Sequence, residues 1–303
     1  MNAIVVIDKP DGITSSDVVN RVKKNLKVRK AGHTGTLDKF ATGVLPVCLG
    51  EATKAIPHLD ESFKEYEATM RLGVATDTFD LSGKVTGEGD VGKVSRNDII
   101  SRFKENTGTF LQIPPMFSAV KKNGVRLSEI ARLGKEVERN ARTVTVESLE
   151  LLEFSPPLVR FSVKCSRGTY VRALASEMGE TLGCMAHLVQ LRRLGSGKFS
   201  IKESATLQDL EAGNFTLISV DGALSHMKSV RIDEDAARIV GSGGFLSATH
   251  LSGCGCDFRK GDVVKLMRNG AVASIAEFVA DAREVENLKD VPVLKQIRVF
   301  GSH

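Results

Sequence analysis

Two domains of mixed helix and strand, the second small and built of strands, are predicted from three observations. The chain has 303 residues, and at roughly 100 to 200 residues per domain this length asks for about two hydrophobic cores. Helix-spaced and strand-like apolar patterns alternate along its first two thirds. Near the end, Arg268-Asn269-Gly270 lies between two apolar runs, and Asn-Gly supplies the two positive-φ residues of a type I′ hairpin turn. Apolar residues make up 42% and charged residues 26%, a balance that excludes extended disorder, collagen-like repeats and a coiled coil.

Ile4-Val5-Val6-Ile7 reads as a short buried strand, ended by the turn Lys9-Pro10-Asp11-Gly12. A helix follows, capped by Ser15 or Ser16, with Val18, Val19, Val22 and Leu26 at helical spacing. Its other face is basic: six of residues 21–30 are Lys or Arg. Residues 31–50 contain four Gly and one Pro without periodicity, which predicts an irregular loop entering a strand at Val44 to Leu49. A loop this long in a compact domain usually carries function. Tyr66 to Leu72 alternates like a strand, and Phe161 to Cys165 is a second candidate. Between them lies a basic insertion, residues 113–142, with Lys121, Lys122, Arg126, Arg132, Lys135, Arg139 and Arg142. It is suited to closing over something acidic.

Val171, Leu174, Ala175, Met178 and Leu182 predict a helix of about 12 residues starting near Thr169. Arg172 falls in its first turn, where the helix dipole disfavours a cation. Either a specific anionic partner or a surface arginine tolerated for its helix propensity accounts for it. Cys184 and His187 read as helical positions packed in the core. A boundary near residues 222–230 divides 1–229 from a tail, 230–303, whose strands are Val263 to Met267, Ala271 to Val279 and Val291 to Val299.

The net charge of +5 is too small to announce a polyanionic partner. The tail holds ten Lys/Arg and ten Asp/Glu, so the whole excess lies in residues 1–229. Five cysteines, Cys48, Cys165, Cys184, Cys254 and Cys256, are odd in number and scattered, and no signal-peptide pattern opens the chain. Reduced thiols in the cytoplasm are expected. No apolar run approaches the roughly 18 residues of a membrane span.

His33-Thr34-Gly35-Thr36-Leu37-Asp38 sets an imidazole before a carboxylate among glycines that permit close approach. Taken alone, an Asp capping a turn explains this pattern better than catalysis does. Metal binding lacks its spacing, because Cys184-x-x-His187 and Cys254-x-Cys256 have no second pair to complete a tetrahedral site. There is no P-loop and no GxGxxG after a strand. Gly241-Ser242-Gly243-Gly244 is not the GxSxG of a hydrolase. What remains is an Asp in a special loop, a basic face, a basic insertion, and two tyrosines, Tyr66 and Tyr170, in a chain without Trp.

VIDKPDGITSSDVV (6–19), GHTGTLDKFATGVLPV (32–47), KEYEATMRLGVATDTFDLSG (64–83), SRGTYVRALASEMGETLG (166–183) and LVQLRRLGSGKF (188–199) resemble, in order and spacing, the sequence blocks of the bacterial TruB family of tRNA pseudouridine-55 synthases. The resemblance implies an α+β pseudouridine-synthase fold: a mixed, largely antiparallel sheet with flanking helices and an RNA cleft across its centre. The tail is then similar to a PUA domain, a small RNA-binding β-barrel.

The resemblance also implies roles. Asp38 matches the aspartate that attacks the target uridine, after which the glycosidic bond breaks, uracil rotates and a bond forms from C5 to the ribose. Attack at base C6 and attack at ribose C1′ both stay open. Arg172 matches its paired arginine, whose guanidinium opposes the desolvation that would neutralise a buried carboxylate. Tyr66 matches the tyrosine that stacks on the target base and is placed to move the C5 proton. Tyr170 and Leu191 match substrate-contacting positions, and His33 matches a residue that packs in the T-loop and keeps the flipped nucleotide out of its stack. No cofactor and no metal ligand are implied, because the reaction is an isomerisation. The implied partner is the T-arm of tRNA, met by a cytoplasmic monomer with no obligate protein partner.

Lys39 departs from the Pro common in the family, replacing a residue that stiffens the loop with a charge that can meet a phosphate. The basic helix from Arg21 to Lys30, Lys121, Lys122, Arg126, Arg132 and Arg192-Arg193 form a candidate set of phosphate contacts, whose binding would fall steeply with salt. Two rival readings are a non-catalytic tRNA-binding or folding module and a synthase acting inside a guide-RNA particle. The second fits poorly with a chain that has no long basic tail.

Overall fold

The computed structural model describes residues 1–251, 258–281 and 291–301; Cys254 and Cys256 lie outside them. Strand β1 (Ala3–Lys9) is buried along nearly its whole length, as an unbroken Ile/Val run predicts for a strand covered on both faces. Helix α1 (Ser15–Asn25) is capped by Thr14, not by Ser15 or Ser16. The Thr14 Oγ1 accepts the Asp17 N–H at 3.1 Å, and the Asp17 carboxylate accepts the Thr14 N–H at 2.9 Å. This reciprocal capping box was legible as T-x-x-D, and it leaves the Ser15 side chain free. The following segment is less irregular than expected, because β2 (Ala31–His33) pairs antiparallel with β3 (Thr42–Leu49).

The order continues with β4 (Phe63–Leu72), the hairpin β5 (Val74–Thr76) and β6 (Val85–Glu88), α2 (Arg96–Glu105) and β7 (Gly108–Gln112). The basic insertion folds as a small hairpin, β8 (Lys121–Lys122) and β9 (Val125–Arg126), with α3 (Leu127–Arg132). Next come β10 (Arg142–Ser155), β11 (Leu158–Ser166), α4 (Val171–Thr181), β12 (Ala186–Ser196), β13 (Phe199–Ser200), α5 (Leu207–Ala212), β14 (Leu217–Ser219) and α6 (Val220–Ala223). The helix predicted near Thr169 is therefore α4. It ends before Cys184 and His187, which corrects their helical reading: His187 lies on β12, its Nδ1 2.8 Å from the Val74 carbonyl oxygen. Both residues are nonetheless buried.

Ten strands form one sheet in the order β14-β1-β3-β12-β4-β11-β10-β7, with β2 and β13 paired to β3 and β12. All its strand pairings are antiparallel except β3 with β12, which meet in parallel at Thr42 with Arg192 and Gly43 with Arg193. Gly43 has φ 101, and a Cβ there would lie 2.1 Å from the Arg193 carbonyl oxygen. Only glycine closes this seam. Val22 of α1, Leu174 of α4, and Val47, Met70 and Phe161 of the sheet share one core.

In the tail, β15 (Ser229–Arg231), α7 (Glu234–Gly241), β16 (Leu246–Ser247), β17 (Val263–Arg268), β18 (Ala271–Phe278) and β19 (Pro292–Val299) give a curled half-barrel of order β15-β17-β18-β19-β16. The Asn-Gly turn is as expected, with Asn269 at φ 49 and Gly270 at φ 78. The half-barrel is not joined by a bare linker. Val272 and Ile275 of β18 pack with Ile4, Val6 and Leu224 of the larger unit, and the buried Lys265 ammonium lies 2.6 Å from Asp221.

Candidate active site

A cleft of about 610 Å³ is lined by His33, Asp38, Tyr66, Tyr170, Arg172 and Leu191 together. All six positions expected from the sequence thus converge, although they come from the end of β2, the β2–β3 loop, β4, the start of α4 and β12.

Arg172, in the first turn of α4, is 3% exposed. Its Nε lies 2.8 Å from Asp38 Oδ2, off the line of the N–H, so this contact is ionic rather than a hydrogen bond. Its Nη2 donates to Asp38 Oδ1 at 3.3 Å and to the Phe117 carbonyl at 2.9 Å. Nη1 donates to the Thr78 carbonyl at 2.7 Å and to Asp80 Oδ2 at 3.2 Å. A specific anionic partner therefore explains the cation at a helix start. Asp80, which the sequence reading missed, is buried and accepts from Thr78 Oγ1 at 2.8 Å and the Ser82 N–H at 2.9 Å. No local signal says that its carboxylate reaches α4.

Burial raises the Asp38 carboxyl above the ordinary carboxylate range; Arg172 pulls it back down and Asp80 pushes it up. The carboxylate still opens on the cleft, its side chain 40% exposed. Arginine thus limits the cost of a charged Asp38 without cancelling it.

The backbone on both sides of Asp38 is clamped by the segment that opens the chain. Ser15 is 2% exposed; its Oγ accepts the Leu37 N–H at 2.9 Å and donates to the Leu37 carbonyl at 3.1 Å. Beyond Asp38, Lys9 Nζ donates to the Lys39 carbonyl at 3.1 Å, and the Gly12 N–H reaches the same oxygen at 3.1 Å. Burial lowers the Lys9 pKa to about 8. These bonds supply the rigidity that a Pro at position 39 would give, and Lys39 itself is exposed.

Burial pushes the Tyr66 phenol up to about 12, with Arg193 acting in the other direction. Tyr66 therefore presents a neutral ring. Tyr170 caps α4, and its N–H and carbonyl are both held by the Gln112 side chain, at 2.8 and 3.2 Å, which ties the entrance of the basic insertion to the cleft. Leu191 stands opposite Ala68 across the β12–β4 pairing. Burial and Arg193 hold His33 below the ordinary imidazole pKa, and its Nδ1 is buried without a hydrogen-bond partner.

The candidate phosphate contacts divide. Arg21, Lys24, Lys27, Arg29 and Lys30 are exposed, as are Lys121, Lys122 and Arg126. Arg192 instead pairs with Asp8 at 2.7 Å, and Arg193 is fully buried, donating to the Val44 carbonyl at 2.7 Å and the Gly35 carbonyl at 2.8 Å. Arg193 is removed from the set for that reason. Among the described residues no group of three His, Cys, Asp or Glu could hold a metal ion, and no helix is long and apolar enough to cross a membrane.

Residues 23–171 match the model of the TruB family pseudouridylate synthase N-terminal domain, and 172–223 match the tRNA pseudouridylate synthase B C-terminal domain. The tRNA pseudouridine synthase B of Geobacter sulfurreducens is 46% identical over 99% of this chain and 100% of its own. That of Syntrophotalea carbinolica is 38% identical over the full length of both. Among solved structures, a chain of a Cbf5-Nop10-Gar1 complex superposes with a TM-score of 0.74 at 30% identity, covering 99% of this chain and 85% of that one. With its seam, cleft and Asp38–Arg172 pair in place, the chain belongs to the TruB family of pseudouridylate synthases.

Proposed function

We propose that this chain converts uridine 55 in the T-loop of tRNA to pseudouridine, with Asp38 as the attacking carboxylate. The observation that carries the reading is the Asp38–Arg172 contact at the floor of a cleft wide enough for a flipped nucleoside. Asp38 must be ionised to attack, at base C6 or at ribose C1′. The N1–C1′ bond then breaks, uracil turns in place, C5 bonds to C1′, the bond to Asp38 is released so that its carboxylate is regenerated, N1 takes up a proton and C5 loses one. No atom of the nucleoside is lost except that exchanged proton, so no redox or group-transfer cofactor enters the scheme.

In this reading Arg172 is a catalytic residue that keeps Asp38 charged and aimed. Tyr66 stacks on the base, Tyr170 and Leu191 wall its pocket, and His33 occupies space in the T-loop. A phenol raised to about 12 makes stacking the main role of Tyr66, with proton movement left to the rearranged complex. The exposed cations of α1 and the insertion meet phosphates of the T-arm. Residues 1–229 form the catalytic unit and 230–303 a PUA-like unit that extends the RNA surface. The protein works in the cytoplasm as a monomer and needs no accessory protein.

The test is tritium release from bare tRNA labelled at uridine C5, with filter binding of the same RNA alongside. The parent should release tritium, and Asp38→Asn should bind equally well while losing at least about a thousandfold in rate. A parent that binds tRNA but never releases tritium would point to a binding or folding module instead.

A further inference from the structure

Lys64 is a cation of the cleft with no carboxylate paired to it among the described residues. It is 8% exposed, it lines the same cleft as Asp38 and Tyr66, and it makes no hydrogen bond or ion pair among the described residues. Glu61, the carboxylate whose field reaches it, is turned to Arg167 at 3.5 Å. Burial, then Arg193 and Arg167, hold the Lys64 ammonium below its ordinary pKa, while Glu61 and Cys165 act in the other direction.

The crowding is local and specific. Gly35 adopts φ 58, and a Cβ there would lie 2.6 Å from Lys64 Nζ and 3.3 Å from Arg193 Nη1. Two cationic nitrogens therefore flank one point of the cleft wall, and Arg193 Nη1 is buried without a hydrogen-bond acceptor. Lys64, set beside the fully buried Arg193 and without a carboxylate turned to it, calls for an anion from outside. Lys64 and Tyr66 stand two residues apart on β4, so they share a face about 6.6 Å apart along the strand. A nucleotide whose base stacks on Tyr66 has its ribose and flanking phosphates several ångströms from the base, a span that can cover this spacing.

We propose that Lys64 is a phosphate-binding residue of the cleft, its ammonium gripping the phosphodiester next to the target nucleoside. The proposal rests on the uridine reading of the cleft and names the part of the RNA held there. The phosphodiester is the missing counter-ion and accepts a charge-assisted hydrogen bond from Nζ.

The experiment uses the full chain and a T-arm RNA hairpin with one uncharged methylphosphonate, placed in turn at each phosphate flanking the target uridine. Filter binding is measured across a salt series. Lys64→Met should bind the unmodified hairpin roughly tenfold more weakly. Its slope of log affinity against log salt should be shallower by about 0.7 to 0.9, and Lys64→Arg should retain the parent slope. At one of the two linkages, the methylphosphonate should weaken the parent by a similar factor and leave Lys64→Met unchanged. An unchanged slope, or equal weakening of both proteins at both linkages, overturns the proposal. So does a Lys64→Met protein that unfolds more easily yet binds RNA normally. Tritium release by the parent from the same hairpin separates the two readings: no release sinks the uridine reading, whereas release with an uncoupled Lys64 sinks the phosphate site alone.

Discussion

In the larger unit Lys9, Lys64, Asp80, Arg172 and Arg193 are all buried, whereas in the half-barrel Lys265 is the one buried charge among the described residues. The two cases differ in where the charge is answered. Lys265 meets Asp221 at 2.6 Å and the Leu224 carbonyl at 3.1 Å, and it fastens one unit to the other. Arg172 is answered by Asp80 on one side and on the other by a carboxylate that opens on the cleft. Taking an ion out of water costs several kcal/mol, and the partner carboxylates are similarly exposed, Asp221 at 42% and Asp38 at 40%; what separates the two is placement, since Asp38 lines the cleft with Tyr66 and Leu191 whereas Asp221 ties one unit to the other.

Five substitutions would break or sharpen that contrast. The largest effect belongs to Arg172→Met, which strands Asp80 in the interior and Asp38 in the cleft. It should destabilise the fold by about 3 to 5 kcal/mol and abolish tritium release, as read by denaturant unfolding and the C5 assay. Ile275→Ala is its counterpart in the half-barrel. Deleting a fully buried side chain should cost about 2 to 5 kcal/mol with the single-turnover rate of the folded protein unchanged; a slower rate would mean that the units are coupled in catalysis.

Ser15→Ala comes next, since it loosens the Leu37 peptide beside the nucleophile. A displacement of an ångström there should cost roughly ten- to a hundredfold in single-turnover rate with tRNA affinity intact. Adding Lys39→Pro should recover part of the loss by fixing φ on the far side of Asp38. The smallest effect is a shift in pH dependence. The rate should fall as acid protonates Asp38, through a pKa raised by burial and by Asp80. Removing the Asp80 charge lowers that pKa, so the acid limb of Asp80→Asn should move to lower pH; a limb that stays put reports some other group.

Much of the site was legible because its residues sit in short blocks with fixed spacing. The helix of Val171 and Leu174, the Asn269-Gly270 turn and the strands around Tyr66 and Phe161 followed from period and turn chemistry alone. Asp80, Gln112, Ser15 and Lys9 were missed as site residues, since each acts through a bond to a residue at least 22 positions away and neither propensity nor spacing reports such distances. Arg192-Arg193 looked like surface charge because adjacent basic residues usually are. On a strand, alternation sends one toward solvent and the other into the core, and here Arg193 goes inward. The helical reading of His187 failed because Gly183, at φ 71, ends α4 and starts a strand before the apolar pattern changes.

The parallel seam at Gly43 and Arg193 also governs when the protein can first work. It joins a strand made early in translation to one made near residue 190, and closing so long a loop is slow. At about 5 to 20 residues per second, on the order of ten seconds pass between the emergence of β3 and that of β12. Through that interval the Thr42–Gly43 end of β3, which β12 will cover, lacks its partner and is prone to mispairing. A nascent chain that stops short of Ser196 carries its nucleophile and its clamp from Ser15 and Lys9, but not the wall that would hold a base. Activity is therefore among the last properties this domain acquires during synthesis.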